Sequence, residues 1–182
     1  VKPDLACFGK ALGNGVPISV VLGRADIMSV FDEVFYSFTF GGDMLGIEAA
    51  LAVLDVISKE AVLEHIHKIG SKLLEGVQNL VNVHGLCNEI VVSGYPGRHV
   101  MEFFCDGEID LIAKTYFQQE SIKRGILAAA WHAPSYSHTE LDVLTTLDVY
   151  DDVFKLLKCA LETESLPTLL TGNIVEPVFR KP

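Results

Sequence analysis

The 182-residue sequence predicts an α/β protein in two parts joined by a long helix, and three observations carry that reading. Short β-rich runs bounded by Gly and Pro occupy residues 4–8 and 17–23. One helical stripe of apolar residues then crosses 59–84. Beyond Gly85, β-rich and helical runs alternate as far as Leu166.

Taken in order, the runs at 4–8 and 17–23 read as buried strands of an α/β layer, with a glycine-rich turn between them. Residues 25–31 read as a short helix, 40–43 as a loop, and 46–57 as a helix whose small residues permit close packing. The stripe across 59–84 comprises Val62, Ile66, Ile69, Leu73, Val77 and Leu80, at spacings of 4, 3, 4, 4 and 3, and Gly85 stops it. Strands are expected at 89–93 and 99–104 around the turn Gly94-Tyr95-Pro96-Gly97, then a helix over 110–124 ended by Gly125, then a strand over 126–130. Thr139, followed by Glu140 and Asp142, suits the start of a last long helix carrying Leu147, Tyr150, Phe154, Leu157 and Leu161 on one face. The tail after Leu166 has no strong period.

Composition narrows the function. Apolar residues make up 49% and mean hydropathy is +0.34, yet no uninterrupted apolar run approaches the roughly 20 residues of a membrane span. The surplus is expected to be buried against protein. A net charge of −10 and a pI near 4.9 argue against nucleic acid, whose phosphates need clustered Lys and Arg. Cys7, Cys87, Cys105 and Cys159 lie far apart with no CxxC pair, and no secretory signal opens the chain; they read as reduced, mostly buried thiols of a cytoplasmic protein. His65 and His67 point to different sides of a helix and do not make a metal pair.

The strongest chemical signal is Lys10, delivered by the apolar run Leu5 to Phe8 into the turn Gly9-Lys10-Ala11-Leu12-Gly13-Asn14-Gly15. Glycine there lets backbone pass close to a bound molecule. An amine that attacks a carbonyl must be neutral, and partial desolvation beside Phe8 and Leu12 would lower its pKa in the useful direction. The stretches PDLACFGKALGNGVPISVVLGRADIM at 3–28, SFTFGGDMLGIEAALAVL at 37–54, KRGIL at 123–127, SYSHTELDV at 135–143 and the VFRKP ending together resemble the class III pyridoxal-phosphate-dependent aminotransferases, especially the branch with glutamate-1-semialdehyde 2,1-aminomutase. Their order and spacing cover nearly the whole chain.

That resemblance implies the C-terminal part of a fold-type I enzyme: 1–58 ending the large cofactor-binding domain, 59–84 a connecting helix, 85–166 a small α/β domain and 167–182 a tail. It implies pyridoxal 5′-phosphate as cofactor, Lys10 as its Schiff-base lysine and proton carrier, and the Thr39 hydroxyl as a donor to the cofactor phosphate. The family's threonine usually serves the neighbouring subunit, so a homodimer is implied, acting on a small-molecule amino or carbonyl substrate. The abrupt start at Val1 reads as an internal cut, with the phosphate-binding glycine turn, ring-stacking aromatic and ring-nitrogen aspartate upstream in the family. Asp32-Glu33-Val34 imitates that aspartate motif but follows the lysine, so Asp32 reads as a solvated carboxylate.

Other constellations weigh less. Asp4 and Ala11 stand where a P-loop needs Gly and Ser or Thr, and Ile18 stands where a dinucleotide fingerprint needs its third glycine. Ser137-His138-Thr139 reads as helix capping, although the family places this stretch near the active-site mouth, where Trp131 and His132 approach substrate. Arg24 reads as a structural partner of a carboxylate and Arg98 as a weak candidate for substrate. Aminotransferase and aminomutase are not separated by these residues. Two rivals stand beside them: a truncated, non-catalytic or partner-binding module of the same fold, and an unrelated α/β binding domain with an imitative glycine turn.

Overall fold

The computed structural model describes residues 2–35, 37 and 39–176; the VFRKP ending lies outside the described residues. The chain divides into two compact units, Val1–Val62 and Leu63–Pro182. Among the described residues no helix is long and apolar enough to cross a membrane.

In the first unit, β1 (Leu5–Phe8) pairs antiparallel with β2 (Val20–Gly23), in register from Leu5↔Gly23 to Phe8↔Val20. A 3₁₀ turn, Lys10–Leu12, lies between them. Helix α1 (Ala25–Met28) runs into a second 3₁₀ turn, Ser29–Asp32, which leaves Asp32 exposed. Helix α2 (Met44–Lys59) starts at Asp43, whose carboxylate accepts the Leu45 N–H at 3.3 Å. The expected buried strands are corrected here. With one partner each, β1 and β2 leave most of their side chains exposed, and residues 17–19 stay outside the strand. Ala50 and Val62 are the only buried apolar side chains of this unit among the described residues, while Phe35, Phe40, Met44 and Leu45 are all exposed.

The second unit opens on α3 (Val62–Val83), of which all but Val62 belongs to it. The stripe predicted from Lys59 begins later because Glu60 takes an extended conformation and ends α2. Ile69, Leu73 and Val77 are buried as the spacing requires, and Val81 joins them. Gly85, at φ 64°, turns the chain out of the helix, with the Leu86 N–H donating to the Val81 carbonyl at 2.9 Å. Leu86 then drops into the core.

β3 (Ile90–Tyr95) and β4 (Arg98–Cys105) form an antiparallel pair around Pro96 and Gly97, so Gly94 and Tyr95 belong to the strand rather than to the predicted turn. β5 (Glu108–Ile109) pairs with the end of β4. Helix α4 (Leu111–Lys123) is capped by Asp110, which accepts from the Ile112 and Ala113 N–H groups at 2.8 and 2.9 Å. The strand expected over 126–130 is absent. Ala130 sits at φ 60°, a left-handed conformation that interrupts extension, and pairing is confined to β6 (Trp131–His132) on the free edge of β4. Helix α5 (Glu140–Glu162) begins with a capping box between Thr139 and Asp142, worth about 1 kcal/mol. A short α6 (Leu166–Leu169) occupies the tail that lacked any period.

The core lies where α3, α4 and α5 meet the β3–β4 pair. Phe103, Phe117, Tyr150 and Phe154 form a continuous aromatic cluster, with Phe117 in ring contact with the other three at 5.0 to 5.9 Å. The expectation of mostly buried thiols is also corrected: all four cysteines are free and exposed.

Candidate functional site

Strand β1 ends at Phe8, and the backbone reverses over the next residues. Gly9 is extended at φ −163°, whereas Lys10 is in the left-handed region at φ 51°. A side chain with a Cβ pays roughly 1 kcal/mol or more for that conformation, a strain that concentrates at functional positions. The Lys10 carbonyl accepts from the Gly13 and Asn14 N–H groups, both at 3.2 Å, which locks the turn. A Cβ on Gly13 would collide with the Val16 carbonyl and lie 2.8 Å from Ile18 Cγ2, so only glycine closes the loop this tightly.

The base of the hairpin is clamped by Arg24, whose guanidinium reaches Asp4 at 2.9 Å and Asp26 at 2.7 and 3.0 Å. Arg24 therefore serves the carboxylates beside it, as its sequence context suggests. The Lys10 amine has no hydrogen-bond or ion-pair partner among the described residues and is exposed, which corrects the expectation of desolvation by Phe8 and Leu12: Phe8 is itself 52% exposed. Five of the other lysines differ. Lys59, Lys68, Lys72, Lys123 and Lys155 each hold a carboxylate at 2.5 to 2.9 Å.

Thr39 lies exposed in the turn that leads through Phe40, Gly41 and Gly42 to the Asp43 cap of α2. Its hydroxyl has no partner among the described residues. A cavity of about 1030 Å³ in this unit is lined by Ile18, Val20, Met28, Ser37, Phe40 and Gly41, among others. It flanks Thr39 in sequence on both sides. Neither Thr39 nor Lys10 lines it, and no hydrogen bond joins the two.

In the second unit Trp131 and His132 line a smaller cleft of about 360 Å³, with Tyr150, Asp142 and His138. His132 Nε2 and the Tyr150 hydroxyl share a hydrogen bond of 2.8 Å. Burial, reinforced by the neighbouring His99, pushes the His132 imidazole down to about 4, and burial pushes the Tyr150 phenol up. His138 closes its own loop: its Nδ1 accepts from the Ser135 N–H at 3.0 Å and lies 2.9 Å from the Ser135 hydroxyl, and its carbonyl accepts from His65 Nε2 at 2.8 Å. Arg98 lies over the Trp131 ring, 5.1 Å from its centroid. Sequence reasoning missed His99, which is fully buried. The signal was present in β4, where His99, Met101 and Phe103 alternate inward. Among the described residues, no group of three or more His, Cys, Asp or Glu is placed to hold a metal.

Residues 1–136 match the model of the family described as aminotransferase class-III. This chain belongs to that family. As a class-III aminotransferase family member it is 29% identical over 174 residues to glutamate-1-semialdehyde 2,1-aminomutase 2 of Bacillus pumilus (strain SAFR-032), an alignment spanning 87% of the chain and 40% of that protein. Among solved structures it is similar to the pyridoxal-phosphate internal aldimine form of the FumI protein of Sphingopyxis sp. MTA144, at 26% identity and a TM-score of 0.81, over 93% of this chain and 41% of that one. The ornithine aminotransferase of Toxoplasma gondii aligns at 25% identity and a TM-score of 0.74, over 91% and 38%. The fold is thus that of the fold-type I class-III enzymes, whose family cofactor is pyridoxal phosphate. The chain spans about two fifths of the length of these relatives.

Proposed function

We propose that this chain carries the cofactor lysine and the small domain of a pyridoxal-phosphate-dependent enzyme of amino-group transfer, either an aminotransferase or a glutamate-1-semialdehyde aminomutase-like enzyme. The observation that carries the reading is Lys10: it heads a locked, left-handed turn inside the family match, and its amine is free of partners among the described residues. A nitrogen that must condense with a carbonyl cannot be committed to a carboxylate. Thr39, with a free hydroxyl in a glycine-flanked turn, fits a phosphate oxygen.

Bound pyridoxal phosphate supplies an aldehyde carbon and a ring that takes up electrons. The Lys10 Nζ would hold the cofactor and, when freed, would carry a proton to or from the substrate carbon. The Thr39 hydroxyl would donate a hydrogen bond to a phosphate oxygen, in the active site of a second copy of the chain. The turn from Gly9 to Gly13 fixes where the amine departs from the backbone. The substrate is a small amine or carbonyl compound and the enzyme is a cytoplasmic homodimer.

Thr39→Val in the enzyme containing this chain is expected to weaken cofactor affinity roughly ten- to a hundredfold, the value of a hydrogen bond to a charged group. Equilibrium dialysis of pyridoxal phosphate measures it. Unchanged affinity removes Thr39 from the phosphate site.

The exposed apolar side chains of the first unit support a second reading for the 182 residues taken by themselves, as a non-catalytic or partner-binding module. Stoichiometric cofactor binding and turnover by the isolated polypeptide would exclude it.

A further inference from the structure

We propose that the stacked pair His99 and His132 is an acid-operated latch: with both rings neutral it seats β6 on β4, and proton uptake releases β6 with the 126–138 segment. The two residues are direct register partners across β4 and β6, and their ring centroids lie 4.6 Å apart with planes 31° from parallel. His99 is fully buried, and neither of its ring nitrogens has a hydrogen-bond partner among the described residues; His132 Nδ1 has none either. Stacked rings send their lone pairs along separate planes, so the pair does not converge on a metal ion. Two imidazolium charges at this separation, away from water, repel strongly and lack compensation.

No carboxylate forms an ion pair with either ring among the described residues. From β3 and its turn, the Tyr95 and Pro96 backbone favours the charged form of His99, and burial outweighs it. From α5 comes the neutral Tyr150 hydroxyl, bonded to His132. Asp142 of α5 lines the same cleft, but one of its carboxylate oxygens accepts from both the Thr139 N–H and hydroxyl. His138 of the adjoining loop is tied to Ser135, α3 contributes Ile69 and Leu73, and Arg98 on β4 is turned over Trp131.

Beside the His132–Tyr150 bond and the Arg98–Trp131 contact, β6 has two residue pairs with β4 and one further bond in which the Met101 N–H donates to the carbonyl of Ala130 at 2.8 Å, and the buried side chains just before it, Ala128 and Ala130, are small. Leu127, in the same segment, is 89% exposed. Burial holds His132 at about 4 and His99 below the usual imidazole range. A released segment regains ordinary imidazoles near about 6.5. The sign follows: the seated form is favoured above about 6.5 and loses ground to the released form as pH falls towards 4.

The test is hydrogen exchange of the Met101 amide in the full chain between pH 7.5 and 4.5, expressed as a protection factor so that the intrinsic exchange rate cancels. Acrylamide quenching of Trp131, the only tryptophan, runs in parallel. Met101 protection is expected to fall by up to about a hundredfold per pH unit below about 6, the signature of two protons, and about tenfold per unit in His99→Phe. Far-UV circular dichroism should hold steady across the same range. Protection that stays constant until the helices unfold, or an identical slope in wild type and His99→Phe, overturns the latch. Should His99→Phe not fold, wild type decides: a Trp131 transition preceding loss of helix supports the latch, and a coincident one overturns it.

Discussion

Lys10→Ala is expected to abolish covalent retention of pyridoxal phosphate by the enzyme that contains this chain, and to lower amino-group transfer by at least about a thousandfold. Under the proposed function two roles fall together, since the same nitrogen would hold the cofactor and move the proton. Borohydride reduction followed by peptide mass analysis measures the first, placing the added mass on the peptide that carries Lys10. A half-reaction with an amino donor measures the second. Lys155→Ala is the control, because that amine is already held by Asp151 on the surface of α5. Cofactor trapped on another lysine, or undiminished turnover in Lys10→Ala, would sink the assignment.

Phe117→Ala should cost the second unit about 3–5 kcal/mol. The ring is fully buried and meets Phe103, Tyr150 and Phe154, so its loss opens a void that three other aromatics line. Against a domain stability of about 5–15 kcal/mol, that is enough to unfold a marginal protein near physiological temperature. Urea unfolding followed by circular dichroism reads the change. Phe35→Ala removes a ring of the same size that is 96% exposed, and should change stability by no more than about 0.5 kcal/mol. A Phe117→Ala midpoint as close to wild type as that of Phe35→Ala would show that the cluster is not the core.

The helices were legible because their causes are local. Asp110 and Thr139 announce their caps, Gly85 and Gly125 their ends, and the stripe from Ile69 to Val77 its buried face. The failures have non-local causes. Residues 126–130 are apolar enough for a strand, but Ala130 turns left-handed and only Trp131 and His132 find an edge to pair with. Strands of two residues, such as β5, are too short to leave a period. The depth of His99 depends on β6 arriving from thirty residues away. At the candidate site, motif resemblance singled out Lys10 and Thr39, whereas the apolar neighbours Phe8 and Leu12 suggested a desolvation that the chain's own residues do not provide. Solvation depends on what packs over a turn, and spacing within the turn is silent on that.

The unequal burial in the two units has a calorimetric consequence. Heat of unfolding tracks the surface that leaves water on folding. Nearly all of that surface in this chain belongs to Leu63 onward, where one continuous aromatic and aliphatic interior closes on itself. A melting endotherm of the 182-residue polypeptide would therefore carry the enthalpy of its later two thirds. The lysine-bearing hairpin and α2 would pass through the scan almost without trace, as a passenger whose order is decided elsewhere.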